Sequence, residues 1–581
     1  MIAFAMNPPP GFPAIACGAP RRTHYNPRDM SLRAVNVDKL SQGTFDVLVL
    51  GGGINGAVSA ACLAARGARV ALVDRGDFAG FTSQHSSNLA WGGIKYLESY
   101  EFGLVRKLCR SRNLLLRTYP SIVQEIRFFT TIARGFRHNR IKLFLGSLLY
   151  WVLGSFFTRR PRLLSRGEIA QDEPIVRTDN SQGGIEYSDA YFHDNDARFT
   201  WSFVRSALDH GCVAANYVES LGGKQASDGV WSVEARDVDN GRKFTIRAKM
   251  IVNACGPFVD EHNRLTGVET THRHAFSKGI HLIVRRLTPH RRVLTFFADD
   301  GRLFFVIPMG PCTCIGTTDT RVDSPETHVT DEDRRFVLDN INKRIALDAP
   351  LTEQDIIAER CGVRPLAVAK TNGGGSADWL HMSRKHVIET DAAKRHVSIF
   401  GGKLTDCINV GEEIAHEAEQ FGVSFAYPTA RWFGEPPDEV RDRFFHTARL
   451  MDLDAMTAAA SSEPISRRLW RRYGYAALAM LEAIRADPSQ GEVLILGTEY
   501  LRCELEHTAR HEMVTKLDDF LRRRSKIALV VSREELMAAQ GLDEACRILF
   551  GDSAREKWRE HFGTSLVPPV AEVLSAAGSH P

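Results

Sequence analysis

Residues 46–74 read DVLVLGGGINGAVSAACLAARGARVALVD, an apolar strand, a glycine turn, a helix of small residues and a second apolar strand that ends on an acid. Each residue type has a mechanical reason to be there. Gly51 lets the chain turn after Val47–Leu50, Gly53 lets backbone approach a diphosphate, and Gly56 lets the helix pack close to the sheet. Ile54 and Asn55 open that helix, whose free N–H groups and dipole favour the anion. Asp74 follows at the spacing of an acid that accepts from the ribose hydroxyls. The order of these features predicts a Rossmann-like unit holding a dinucleotide, FAD or NAD.

Composition bounds the rest. With 581 residues, 44% of them hydrophobic and 25% charged, the chain has room for roughly two to four globular domains. A net charge of +4 gives no reason to expect nucleic acid. Eleven scattered cysteines show neither zinc spacing nor a disulfide framework, which suits a reducing compartment. Cys312 and Cys314 are expected to face one side of a strand, and His507 and His511 to lie one turn apart on a helix without a third ligand, so no metal is assigned. Residues 1–40, with Pro8, Pro9 and Pro10, read as a disordered extension without the core of a signal peptide, and Met30 is an alternative start.

One stretch suggests a membrane surface. Leu143–Phe157 carries no charge over about 15 residues, short of the roughly 20 needed to span a bilayer. Arg134, Arg137, Arg140 and Lys142 precede it and Arg159, Arg160 and Arg162 follow, while Tyr150 and Trp151 suit an interface. Region 141–162 is therefore expected to dip into one leaflet, the alternatives being a core helix or a dimer contact.

Three further segments fit a flat ring system better than a nicotinamide. TSQHSSNLAWGGIKYLE, from Thr82, offers Ser83, Ser86 and Ser87 and then the small pair Gly92 and Gly93. MIVNACGPF, from Met250, is a strand returning to the nucleotide sheet at Ala254 and Gly256. SIFGGKLT, from Ser398, places Gly402, Lys403, Leu404 and a possible N-cap, Thr405, before a helical pattern from Cys407 to Glu419, where a helix N-terminus would stabilise charge on a reduced flavin.

Taken with YEFGLV, EYSDA, NDAR, SKGIH, VIP, GTTD, GVRPL and SRKH in collinear order, these segments make the chain resemble the FAD-dependent glycerol-3-phosphate dehydrogenase family from about Phe45 onward. The resemblance implies an α/β fold: a glutathione-reductase-type FAD domain and an antiparallel-sheet substrate domain interleaved over 41–427, then a helical C-terminal domain over 428–581. GEPPDE near Pro436 reads as the linker, and YLRCELEHTARHEMVTKLDDFLRRR has helical apolar spacing of its own. It also implies FAD as cofactor, glycerol 3-phosphate as substrate, a membrane quinone as electron acceptor, attachment to the inner face of the cell membrane, and a possible homodimer.

Site residues follow the same correspondence. Arg364 and Arg384 match substrate-side arginines, a planar fork suiting phosphate. His281 is the expected proton acceptor, because imidazole titrates near neutral pH. Lys403 is expected near the flavin or substrate oxygen, and Tyr96 near a substrate hydroxyl. Where relatives usually show Lys, His and Arg, this chain has Asn88, Trp91 and Lys95, the last a point charge in place of a fork but still counted in the catalytic set. Those departures leave open an FAD oxidoreductase acting on another small hydroxy or amino acid, or a catalytically silent flavin-binding protein.

Overall fold

The computed structural model describes residues 31–316, 318–370, 385–458 and 461–563. At its centre Thr44–Leu50 lies between Val70–Val73 and Lys243–Asn253, with Val213–Ala215 and His396–Phe400 outside them, all parallel. Val387–Asp391 closes one edge antiparallel, and Val218–Gln225 and Trp231–Asp237 form a meander into the start of Lys243–Asn253. Successive residues alternate faces: Val47 and Val49 join the core under helix Ile54–Ala65, whereas Leu48 and Leu50 join the core under the meander. Cover on both sides is why this strand is apolar throughout.

Helix Ile54–Ala65 is buried from Asn55 to Ala65, packed on the sheet and against Asp196–Asp209 and Cys407–Gln420. Its small residues make that depth possible. Leu32–Leu40, expected within a disordered extension, is instead a helix capped by Ser31, with Val37 and Leu40 buried on the meander side. Its apolar residues were too few to show a period in the sequence.

The second sheet has ten strands among the described residues. It is antiparallel except where Arg292–Phe297 runs parallel to Val123–Ala133. Its long pair, His272–Arg285 with Ala358–Ala369, sets Gly279 opposite Gly362 and His281 opposite Arg360. Cys312 and Cys314 lie in one strand and one core cluster, as their spacing implied. Because this sheet takes its strands from 89–192 and 272–369, the two layers are interleaved along the chain.

Beyond Glu435, whose N–H donates to Thr118 O at 2.8 Å, the regular elements among the described residues are helical. The long period seen from Tyr500 is not one helix. Arg502–His511 stops, Met513 takes a φ of 49°, and a separate turn runs Asp519–Arg524. The break follows from Asp519, whose carboxylate accepts from the N–H groups of Thr515 and Lys516 at 2.8 Å and competes with helix continuation.

Candidate active site

Two cavities meet at the carboxyl ends of the parallel strands, sharing Thr82 and Ser83 as a common wall. The first is lined by Gly51, Gly53, Arg75, Ala254, Gly256 and Phe258, among others. A side-chain carbon on Gly56 would sit 1.8 Å from Gly51 O, and one on Gly51 would sit 2.5 Å from Ala254 O, so the turn tolerates nothing larger. Ser83 Oγ accepts from Ile54 N–H at 2.9 Å, marking the helix N-terminus. Arg75 stacks on Phe258 at 3.7 Å, a planar wall the motif did not reveal.

Asp74 is less available than the motif suggested. Its carboxylate accepts from Gly52 N–H at 2.6 Å and Gly76 N–H at 2.8 Å, which braces the glycine turn. Asp74 is itself buried, and its neighbours Val73 and Arg75 line the cavity. Burial raises the carboxyl to about 7 against the pull of those two amides.

The second cavity gathers Ile54, Ser86, Ser87, Tyr96, His281, Arg364, Gly402, Lys403, Leu404 and Thr405, most of the expected set. Asn55 ties the two halves together, its Nδ2 donating to Gly401 O at 3.0 Å. Lys403 Nζ donates to Tyr96 OH at 2.8 Å. Arg364 donates to Thr318 O at 3.2 Å and lies 3.7 Å from Asp319. Its guanidinium lies flat over Gly279, where a side-chain carbon would meet Nη2 at 2.2 Å. Opposite, a carbon on Gly362 would meet His85 Cβ at 2.5 Å. Paired glycines thus clear a lane across the sheet, visible only once register is known.

Several expectations need correction. His281 is paired with Ser87 Oγ at 2.9 Å, but its imidazole is lowered to about 3 by burial, Arg360 and Arg364, so it does not titrate near neutrality in this state. Lys95 is exposed on the turn Ile94–Leu97, and Tyr96, not Lys95, lines the cavity. Gly92 and Gly93 do not line it either. Gly92 is small because a side-chain carbon would lie 2.2 Å from Tyr150 OH, and Gly93 because its φ is 81°. Thr405 is not the N-cap: a turn Leu404–Asp406 precedes helix Cys407–Gln420, and the Thr405 hydroxyl donates to Trp91 O at 3.4 Å. Arg384 lies outside the described residues.

Sequence reasoning also missed Arg360 and His85. Arg360, fully buried, donates to Ser86 O at 2.8 Å and to Asn88 Oδ1 at 3.0 Å. A lysine at position 88 would face that guanidinium, which accounts for the asparagine. Asn88 holds a φ of 55°, a conformation asparagine tolerates better than most residues. No group of His, Cys, Asp and Glu among the described residues has the arrangement of a metal site.

The residues present fit FAD. A glycine turn at a helix N-terminus suits the diphosphate, hydroxyls line the shared wall, and the second cavity continues past that wall between Gly362, Gly401 and Gly402, with room for a ring system.

Comparison with known proteins agrees. Residues 46–390 match the family described as FAD dependent oxidoreductase, and 444–555 match the C-terminal domain of alpha-glycerophosphate oxidase. The chain is 30% identical over 576 residues to glycerol-3-phosphate dehydrogenase 2 of Mycobacterium tuberculosis, covering 98% of this chain and 93% of that one. It is 28% identical to the aerobic glycerol-3-phosphate dehydrogenase of Staphylococcus epidermidis over 85% of this chain and 90% of the other. The crystal structure of glycerol-3-phosphate dehydrogenase from Bacillus halodurans complexed with FAD superposes with a TM-score of 0.67 at 25% identity, covering 92% of this chain and 95% of that one. The chain belongs to the FAD-dependent glycerol-3-phosphate dehydrogenase family, and its cofactor is FAD.

Proposed function

We propose that the protein oxidises sn-glycerol 3-phosphate to dihydroxyacetone phosphate and passes the electrons to a membrane quinone. The observation that carries this reading is the second cavity, which gathers Arg364 and Lys403 with the Ser87–His281 pair. When bound, the flavin supplies the acceptor for the hydride from C2. The chain supplies the rest. Arg364 offers a fork to the phosphate, and Lys403 with Tyr96 OH presents donors to a substrate oxygen. His281, uncharged and paired with Ser87 Oγ, is the group placed to take the C2 hydroxyl proton.

The membrane part rests on helix Arg140–Leu153. Ile141, Leu145, Leu149 and Val152 form a stripe that is 40–60% exposed, continued by Phe156, while Tyr150 on the opposite face is buried. No described helix is long and apolar enough to cross a membrane. The proposed contact is with one leaflet, supported by the exposed stripe and by Arg137, Lys142, Arg159 and Arg160 around it. The proposed attachment is to the inner face of the cell membrane, a reading supported by the basic residues that flank the stripe.

A substrate panel tests the reading, using a short-chain quinone in vesicles of anionic lipid. Glycerol 3-phosphate supports quinone reduction, whereas glycerol, lactate and glycine do not. Turnover of glycine or lactate at a matching rate would overturn the substrate assignment.

A further inference from the structure

Segment 75–87, which carries the shared wall Thr82–Ser83 and lines one cavity on each side of it, is held from outside its own domain. Asp77, buried, accepts from Arg523 Nε at 2.6 Å, from Arg524 Nη1 at 2.9 Å and from Arg524 Nη2 at 2.8 Å. Arg523 Nη1 also donates to Gln84 Oε1 at 3.2 Å. Behind them Asp519 accepts from Arg523 Nη2 at 2.6 Å and from Tyr217 OH at 2.7 Å, while Arg524 lies over the Trp201 ring at 4.1 Å. Both arginines belong to the turn Asp519–Arg524 in the region matched by the C-terminal family model.

What they grip leads straight to the cofactor turn. After Asp77, a side-chain carbon on Gly52 would meet Phe78 at 2.3 Å, and Ala79 N–H donates to Gly52 O at 3.0 Å. After Gln84's neighbour Ser83, the hydroxyl accepts from Ile54 N–H. Two paths therefore run from the C-terminal arginines to the glycine turn and helix N-terminus. Burial would raise the Asp77 carboxyl, but Arg524 and Arg523 outweigh it and hold it low, so the pairing stays charged. Such a buried charge network is weak evidence for stability in itself, yet it fixes one geometry, because any displacement strands a charge without its partner.

We propose that Arg523 and Arg524 are positioning residues for the cofactor wall, so that seating of the C-terminal domain sets FAD affinity. This rests on the cofactor assignment and not on the substrate, so it stands or falls independently of glycerol 3-phosphate oxidation.

The test uses the full chain with Gln84→Met, Arg523→Lys and Arg523→Gln, reading FAD dissociation constants by flavin fluorescence and amide exchange of the FAD-free protein. Gln84→Met removes an acceptor from Arg523 together with the donor that Gln84 itself gives to Gly80 O, and is expected to weaken FAD binding roughly tenfold with faster exchange confined to 78–87. Arg523→Gln weakens it further, and Arg523→Lys falls between parent and Arg523→Gln. Affinities within twofold of the parent, or faster exchange spread equally through strand Thr44–Leu50, overturn the proposal. If Arg523→Gln does not fold, Arg523→Lys, which keeps the charge and loses the fork that spans Asp77 and Gln84, decides.

Discussion

Gly279→Ala tests the phosphate site without removing any of its charges. The added methyl would lie 2.2 Å from Arg364 Nη2, where ordinary contact begins near 3.4 Å, so the guanidinium must retreat by about 1 Å. Because the obstructing group is the end of a flexible side chain and Gly279 is outside the left-handed region, stability changes by less than about 1 kcal/mol. Function does not escape so lightly: a misplacement of about 1 Å at a positioning group costs on the order of 10²-fold. The expected result is kcat/KM for glycerol 3-phosphate down roughly 30- to 100-fold, with FAD affinity and thermal midpoint unchanged. Arg364→Ala should lose as much or more, and the double variant no more than Arg364→Ala alone. Unchanged kcat/KM in Gly279→Ala, with the methyl present, would refute the assignment of Arg364 to the phosphate.

Other outcomes follow from the same geometry. His386 is raised to about 9 against its burial by hydrogen bonds to Asp406 and Glu413, so its contribution is fully present below about pH 6.5 and lost as pH rises through 9. Denaturant titrations should show a fall of order 1–2 kcal/mol across that window, flattened in His386→Gln. His281→Asn lowers the rate of flavin reduction, and the parent's substrate-free form shows no histidine inflection near pH 6.5 in its spectral titration. Gly92→Ala, meeting Tyr150 OH at 2.2 Å, destabilises by about 1–3 kcal/mol in chemical unfolding. Replacing exposed Leu145 and Leu149 with Asp reduces vesicle co-sedimentation at least tenfold with no loss of fold, and retention on vesicles would assign the contact elsewhere.

The features legible in the sequence were those carried by short spacings. The glycine turn and the apolar strand Val47–Leu50 are contiguous in the sequence and contiguous in the fold, whereas the loop Gly402–Thr405 lines the second cavity without Thr405 capping the helix that follows. Family correspondence placed Arg364 and His281 in one cavity across a long stretch of chain. What stayed hidden depends on register or distant pairing. Gly279 and Gly362 look like ordinary strand glycines until they face each other. Arg360 reads as a surface charge until Ser86, Asn88 and His281 close over it, and that burial also removes the neutral-pH titration expected of His281. Lys95 and Tyr96 are neighbours in sequence, but the tight turn sends one outward and one in. Helical spacing from Tyr500 concealed the break at Met513, since Asp519 and Arg523 answer to Asp77, Tyr217 and Gln84 far along the chain.

The account is tested most directly by anaerobic titration of the FAD-loaded protein with glycerol 3-phosphate, followed by the visible flavin spectrum. Bleaching that saturates with substrate and reverses on adding quinone is the predicted result. A spectrum that glycerol 3-phosphate leaves unchanged while a chemical reductant bleaches it fully would contradict the reading of the second cavity as the site of this oxidation.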